Sequence, residues 1–99
     1  YINKGNILND LNRYNEALTA FEQAIRLDPS LALAYNGKGN ALYKLNRYGE
    51  ALVTYEQAIL MDPNLAVAYN NKGLTLERLG KPKEARQAYK KARQLDFSP

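Results

Sequence analysis

Small and apolar residues recur at helical spacing along this chain. Tyr35, Lys38, Gly39 and Leu42 stand at i, i+3, i+4 and i+7, one face of an α-helix. Ala51, Tyr55, Ala58 and Ile59 follow at i, i+4, i+7 and i+8 and predict a second helix. Between them "LNRYGE" at 45–50 holds the turn. The pair repeats at a step of 34 residues: Tyr1, Tyr35 and Tyr69; Gly5, Gly39 and Gly73; Leu8, Leu42 and Leu76. The second helix keeps the same step in Ala17, Ala51 and Ala85, in Phe21, Tyr55 and Tyr89, and in Ala24, Ala58 and Ala92. "LDP" at 27–29 returns as "MDP" at 61–63 and degenerates to "LDF" at 95–97. So many coincidences at one period mark an array of stacked units.

Six helices are expected, near 1–11, 15–27, 32–45, 49–61, 66–79 and 83–95. Asp28-Pro29 and Asp62-Pro63 close the second helices, because the residue before proline is pushed out of helical conformation. In the third turn, "LGKPKE", Gly80 suits a helix C-terminus and Pro82 the first turn of the next helix. A glycine inside a helix costs about 1 kcal/mol relative to alanine. Its return at Gly5, Gly39 and Gly73 implies a close helix contact that outweighs this cost.

The stretch "AYNGKGNALY" at 34–43 looks like a phosphate loop only in isolation. A P-loop requires G-x4-G-K-[ST] between a strand and a helix. Here Gly39 belongs to the repeat and Gly37 does not, since Asn3 and Asn71 stand in its place. Gly39 therefore reads as a packing contact, and Gly37 as a gap in a row of asparagines. Lys38 reads as the middle rung of Lys4, Lys38 and Lys72 at the seam between units.

The pattern Y-x2-K-G-x2-L…A-x3-F/Y-x2-A…P at 34 residues resembles the tetratricopeptide repeat over the whole chain, as units 1–31, 32–65 and 66–99. Lys4, Lys38 and Lys72 depart from the family's usual leucine, and Phe97 from its proline. The resemblance implies an all-α fold, a right-handed α-solenoid of stacked antiparallel helix pairs. It also implies a concave surface lined by the first helix of each unit. With Tyr35, Gly39 and Leu42 as the buried face, that surface carries Ile2, Asn3, Asn6, Asn9 and Asp10 in the first unit. It carries Leu33, Asn36, Gly37, Asn40, Tyr43 and Lys44 in the second, and Val67, Asn70, Asn71, Leu74, Glu77 and Arg78 in the third.

Asparagine is a mediocre helix former, so helix propensity does not select it here. A row of its amides offers donors and acceptors to the backbone of an extended peptide; plain solvation of a polar face is the alternative. The candidate groove residues are Asn3, Asn6, Asn36, Asn40, Tyr43, Lys44, Asn70, Asn71 and Arg78. One subclass of the family grips the C-terminal carboxylate of heat-shock proteins with a Lys/Arg/Asn clamp. Of that clamp only Asn6 matches, and Ile2, Val67 and Asn71 stand where its cations belong, so chaperone tails are not expected ligands.

The two ends differ. Leu18 and Leu52, then Ile25 and Ile59, offer an apolar stripe to the following unit, and their third-unit equivalents are Arg86 and Arg93. The array is therefore expected to end here, as the C-terminal end of a longer one. At the other end Ile7 and Leu11 lie where Ala41, Leu45, Thr75 and Leu79 meet a preceding unit. They are expected to meet further repeats or another chain, and a homo-oligomer through this end follows from the second case.

Composition changes this picture in two ways. There is no Cys and no His, which removes thiolate nucleophiles, imidazole bases and ordinary zinc sites. Glu16, Glu22, Glu50 and Glu56 fall on second helices and read as solvated surface, and Ser30, Thr19, Thr54 and Thr75 have no base beside them. No enzyme, cofactor or metal is expected. The net charge of +4 sits in the last third, since residues 1–34 carry three cations and four anions, 35–68 three and three, and 69–99 eight and three. Lys83, Arg86, Lys90, Lys91 and Arg93 read as a solvated helical cap. An anionic or nucleic-acid partner is the lesser reading, because only Tyr89 interleaves them and the repeat assigns it to the core. The longest apolar run, "LALAY" at 31–35, is far below the roughly 20 residues of a membrane span. The expected partner is a protein or peptide, with no small-molecule substrate and no membrane.

Overall fold

The computed structural model describes residues 2–96. Helices α1 (Ile2–Asp10), α2 (Tyr14–Leu27), α3 (Ala32–Lys44), α4 (Tyr48–Met61), α5 (Ala66–Arg78) and α6 (Pro82–Asp96) follow one another, with no strand among the described residues. Tyr1 and Phe97, which enter the repeat pattern, lie outside the described residues.

Each unit closes through a ring laid on a glycine. A Cβ placed on Gly5 would lie 2.6 Å from the Phe21 ring, on Gly39 2.6 Å from Tyr55, and on Gly73 2.6 Å from Tyr89. Real Cβ contacts are longer, so only glycine lets the second helix approach this closely. Ala17, Ala51 and Ala58 are fully buried, and Leu42 and Tyr55 lie beside them in the core. Tyr35, expected in the same core, is only half-buried.

Gly37 corrects the sequence reading. It is not a gap in a polar row: a Cβ there would lie 2.3 Å from the Phe21 ring. One ring thus packs against Gly5 of its own unit and Gly37 of the next, which brings α1, α2 and α3 together. In the third unit Asn71 takes this position, and its side chain turns toward α3 instead.

The turns inside the units share a left-handed residue. Asn12 and Asn46 have φ of 60° and 62°, and Gly80 has 76°. Glycine and asparagine are the residues that enter this region at least cost. The next amide closes each turn: Arg13 to the Leu8 carbonyl at 2.8 Å, Arg47 to Leu42 at 2.9 Å, Lys81 to Leu76 at 2.9 Å. The Tyr14 hydroxyl donates to Asn12 at 2.6 Å and that of Tyr48 to Asn46 at 2.8 Å, which fixes the asparagine side chains. At the other boundary Asp28 and Asp62 are extended before their prolines, as expected.

Every helix packs on its neighbours in sequence, and α3 also touches α1 and α5. No Cα of α2 lies within 8 Å of α4, nor of α4 within 8 Å of α6, among the described residues. First helices therefore crowd together on one side and second helices splay on the other, which curves the array. Of the lysine series, Lys72 lies at a seam, its Nζ 3.4 Å from Glu56 of the preceding unit. The two ends of the stripe differ in exposure. Leu18 is 8% exposed, while Arg86 and Arg93 are exposed.

The glycine contacts generate a stability series. Gly39→Ala and Gly37→Ala are expected to lower stability by about 1–3 kcal/mol through overpacking, partly offset by alanine's better helix propensity. Gly49, with nothing within 4 Å of a Cβ, is the control. Gly49→Ala is expected to be neutral or to stabilise by up to about 1 kcal/mol in urea unfolding.

Candidate functional site

The 34-residue step places like positions of α1, α3 and α5 side by side, and their contacts turn these positions toward one concave cavity of about 520 Å3. Asn6, Asn9 and Asp10 line it from α1, Asn40, Tyr43 and Lys44 from α3, and Asn71 and Leu74 from α5, with Tyr14 and Tyr55 behind them.

The amides are already connected. Asn71 Nδ2 donates to Asn36 Oδ1 at 3.1 Å and to Asn40 Oδ1 at 3.2 Å. Asn40 Oδ1 also accepts the Tyr55 hydroxyl at 2.6 Å. This one acceptor ties the floor of the groove to the core ring of its unit and to the next unit. Asn9 Nδ2 donates to the Gly37 carbonyl at 3.3 Å, and Asn9 Oδ1 is buried without a partner among the described residues. At the rim Arg78 Nε donates to the Tyr43 hydroxyl at 3.1 Å, and the Tyr43 ring meets Tyr48 edge-on at 5.2 Å. Tyr89 donates to the Glu77 carboxylate.

The candidate residues separate into groups. Asn6, Asn40, Tyr43, Lys44 and Asn71 share the cavity, and Arg78 joins its rim through Tyr43. Asn36 is 7% exposed and lies beneath Asn71 as support. Asn3 faces a separate hollow with Ile2, Ala24, Leu27 and Leu31. Asn70 faces another beside Tyr89 and Arg93. Tyr14 was missed by sequence reasoning, which set it in a turn. The available signal was its recurrence as Tyr48 two residues after Asn12 and Asn46. Ile7 and Leu11 are each 58% exposed, whereas Ala41 and Thr75 at the phase of Ile7 are fully buried.

Of the hydroxyls considered for nucleophilic chemistry, Ser30 corrects the expectation, since in the turn before α3 it donates to the Asp28 carboxylate at 2.6 Å, while the three threonines bond backwards along their own helices. Thr54 donates to the Glu50 carbonyl and Thr75 to that of Asn71, each at 2.8 Å, and Thr19 to that of Asn15 at 3.3 Å. Among the described residues no three carboxylates gather as a metal site, and no helix is long and apolar enough to cross a membrane.

A family model described as TPR repeat matches residues 5–46 and again 39–80, and one described as Tetratricopeptide repeat matches 66–98. No curated protein matches the sequence. Among solved structures, the chain is similar to the second TPR of Spaghetti (RPAP3) bound to HSP90 peptide SRMEEVD. That likeness has 29% identity and a TM-score of 0.90 over 94% of this chain and 86% of that one. It is similar to the TPR2B domain of yeast Sti1 in a complex with a pHsp70 peptide, at 27% identity and TM-score 0.90 over 93% and 74%. It is also similar to MamA, at 28% and 0.86, where 93% of this chain spans about half, 54%, of that chain.

The two core tyrosines generate a pH prediction. Burial raises the Tyr55 hydroxyl well above the ordinary tyrosine range. Burial, followed by the bond to Glu77, raises Tyr89 to about 12. An unfolded tyrosine ionises near 10. Below that pH both states hold the proton and the stability is complete; it falls as pH rises from about 10 through about 12, where only the unfolded chain gains charge. Absorbance titration of phenolate is expected to show a late component that Tyr89→Phe and Tyr55→Phe each reduce.

Proposed function

As the chain belongs to the tetratricopeptide repeat family, a family of protein-interaction scaffolds, we propose that its concave groove binds an extended segment of a partner protein, without catalysis of its own. The observation that carries this reading is the connected amide floor. Asn40 and Asn71 are held by Tyr55, Asn36 and each other, so their remaining donors and acceptors face the cavity in fixed directions. Fixed side chains lose little entropy on binding. A peptide backbone presents alternating N–H and C=O groups to such a row, and the orphan acceptor of Asn9 lies in the same wall.

The peptides in the Spaghetti and Sti1 structures come from chaperones. Ile2, Val67 and Asn71 remain apolar or neutral where a carboxylate clamp has cations, which favours a different ligand here.

A second reading comes from the α1 end. Ile7 and Leu11 are 58% exposed, and the opposite end of the array carries Arg86 and Arg93. Charge on one end and apolar surface on the other do not match head to tail, so two copies would meet through their α1 faces, as a closed pair. Light scattering is expected to show dimers that Ile7→Glu with Leu11→Glu returns to monomers. A wild-type chain monomeric at every concentration excludes this reading.

For the groove, peptides selected from a random display library on the immobilised chain supply the ligand. Asn6 is the cleanest probe, since it is exposed and lines the cavity without holding another helix. Asn6→Ala is expected to weaken the selected peptides about two- to tenfold, the worth of one hydrogen bond, with an unchanged melting curve. Unchanged affinity supports simple solvation of the helix face.

A further inference from the structure

The last turns of the three first helices carry unlike charges. Asp10, Lys44 and Arg78 share one phase of the 34-residue step, one helical turn beyond Asn6, Asn40 and Leu74. Asp10 and Lys44 line the asparagine cavity, and Arg78 borders it through its bond to the Tyr43 hydroxyl. All three are exposed, and among the described residues none of them is in an ion pair. Glu77, beside Arg78 in sequence, is engaged by the hydroxyl of Tyr89 on α6. At this phase the groove edge runs from negative at α1 to positive at α3 and α5, with the Glu77 carboxylate, which keeps its charge under the Tyr89 bond, as an anion beside Arg78. The asparagine column changes as well: its third rung is Leu74, 41% exposed and next to the positive end.

We propose that the groove selects a charge-ordered extended segment: a basic side chain over α1 beside Asp10, then acidic side chains beside Lys44 and Arg78, with an apolar side chain against Leu74. This inference rests on the peptide-groove reading above. Packed helices lie about 8–10 Å apart, and an extended chain advances about 3.3 Å per residue. The basic residue and the first acidic one are thus roughly three residues apart. The cations involved sit in the last turns of α3 and α5, away from the clamp positions of Ile2, Val67 and Asn71. Order rather than net charge is what such an edge reads, because reversing the segment places like charges together at both ends.

The test pans a random peptide library on the full chain at low salt. Enriched peptides are expected to carry Lys or Arg about three residues from Asp or Glu, with an apolar residue on the acidic side. A synthetic peptide of that order is expected to bind about three- to tenfold more tightly than its charge-reversed counterpart, with added salt narrowing the gap. The triple variant Asp10→Lys with Lys44→Glu and Arg78→Glu, checked for helicity by circular dichroism, is expected to invert the preference. Selected peptides with no charge order, or an unchanged preference on the variant, overturn the inference. If Asn6→Ala still weakens those peptides, the groove reading stands without it. Failure to enrich any peptide overturns both.

Discussion

An aromatic ring resting on a backbone without a Cβ holds each unit together. Phe21 lies on Gly5, Tyr55 on Gly39 and Tyr89 on Gly73, at separations no other residue permits. The contact decides how closely the two helices of a unit approach, and so which side chains the next unit meets. In the first seam it does more, since Phe21 also covers Gly37 and locks α3 onto α1. The curvature follows: the backbones of first helices approach one another across units and those of second helices do not.

The groove inherits its chemistry from this packing. Tyr55 reaches past Gly39 to place its hydroxyl on Asn40, and Asn40 in turn receives Asn71 from the following unit. A core residue thereby orients a surface residue. The same substitution of glycine by asparagine, Gly37 to Asn71, turns an apolar seam into a polar one. Neighbouring seams of one repeat array therefore differ in kind, and the cavity spans both.

The solved relatives share the scaffold at TM-scores of 0.86 to 0.90, and two of them hold chaperone peptides. Scaffold likeness of that degree does not transfer a ligand, because specificity depends on a few side chains facing the groove. This chain carries Lys44 and Arg78 in the last turns of α3 and α5.

Periodicity alone determined the six helices, each to within a residue or two, because apolar spacing and Asp-Pro boundaries are local signals. It also pointed to a close helix contact at Gly5, Gly39 and Gly73 and to the polar last helix, since each recurs or breaks at a known phase; which ring lies on each glycine came from the structure. Tertiary structure alone decided the rest. Gly37 was misread because its partner, Phe21, lies in another unit and carries no mark in the local pattern. Asn36 became a support and Asn3 and Asn70 left the cavity, because helix rotation within a seam decides which neighbours of a buried position face outward. The helical period places a residue on a face, but the neighbour packed against that face decides whether it is floor, wall or solvent.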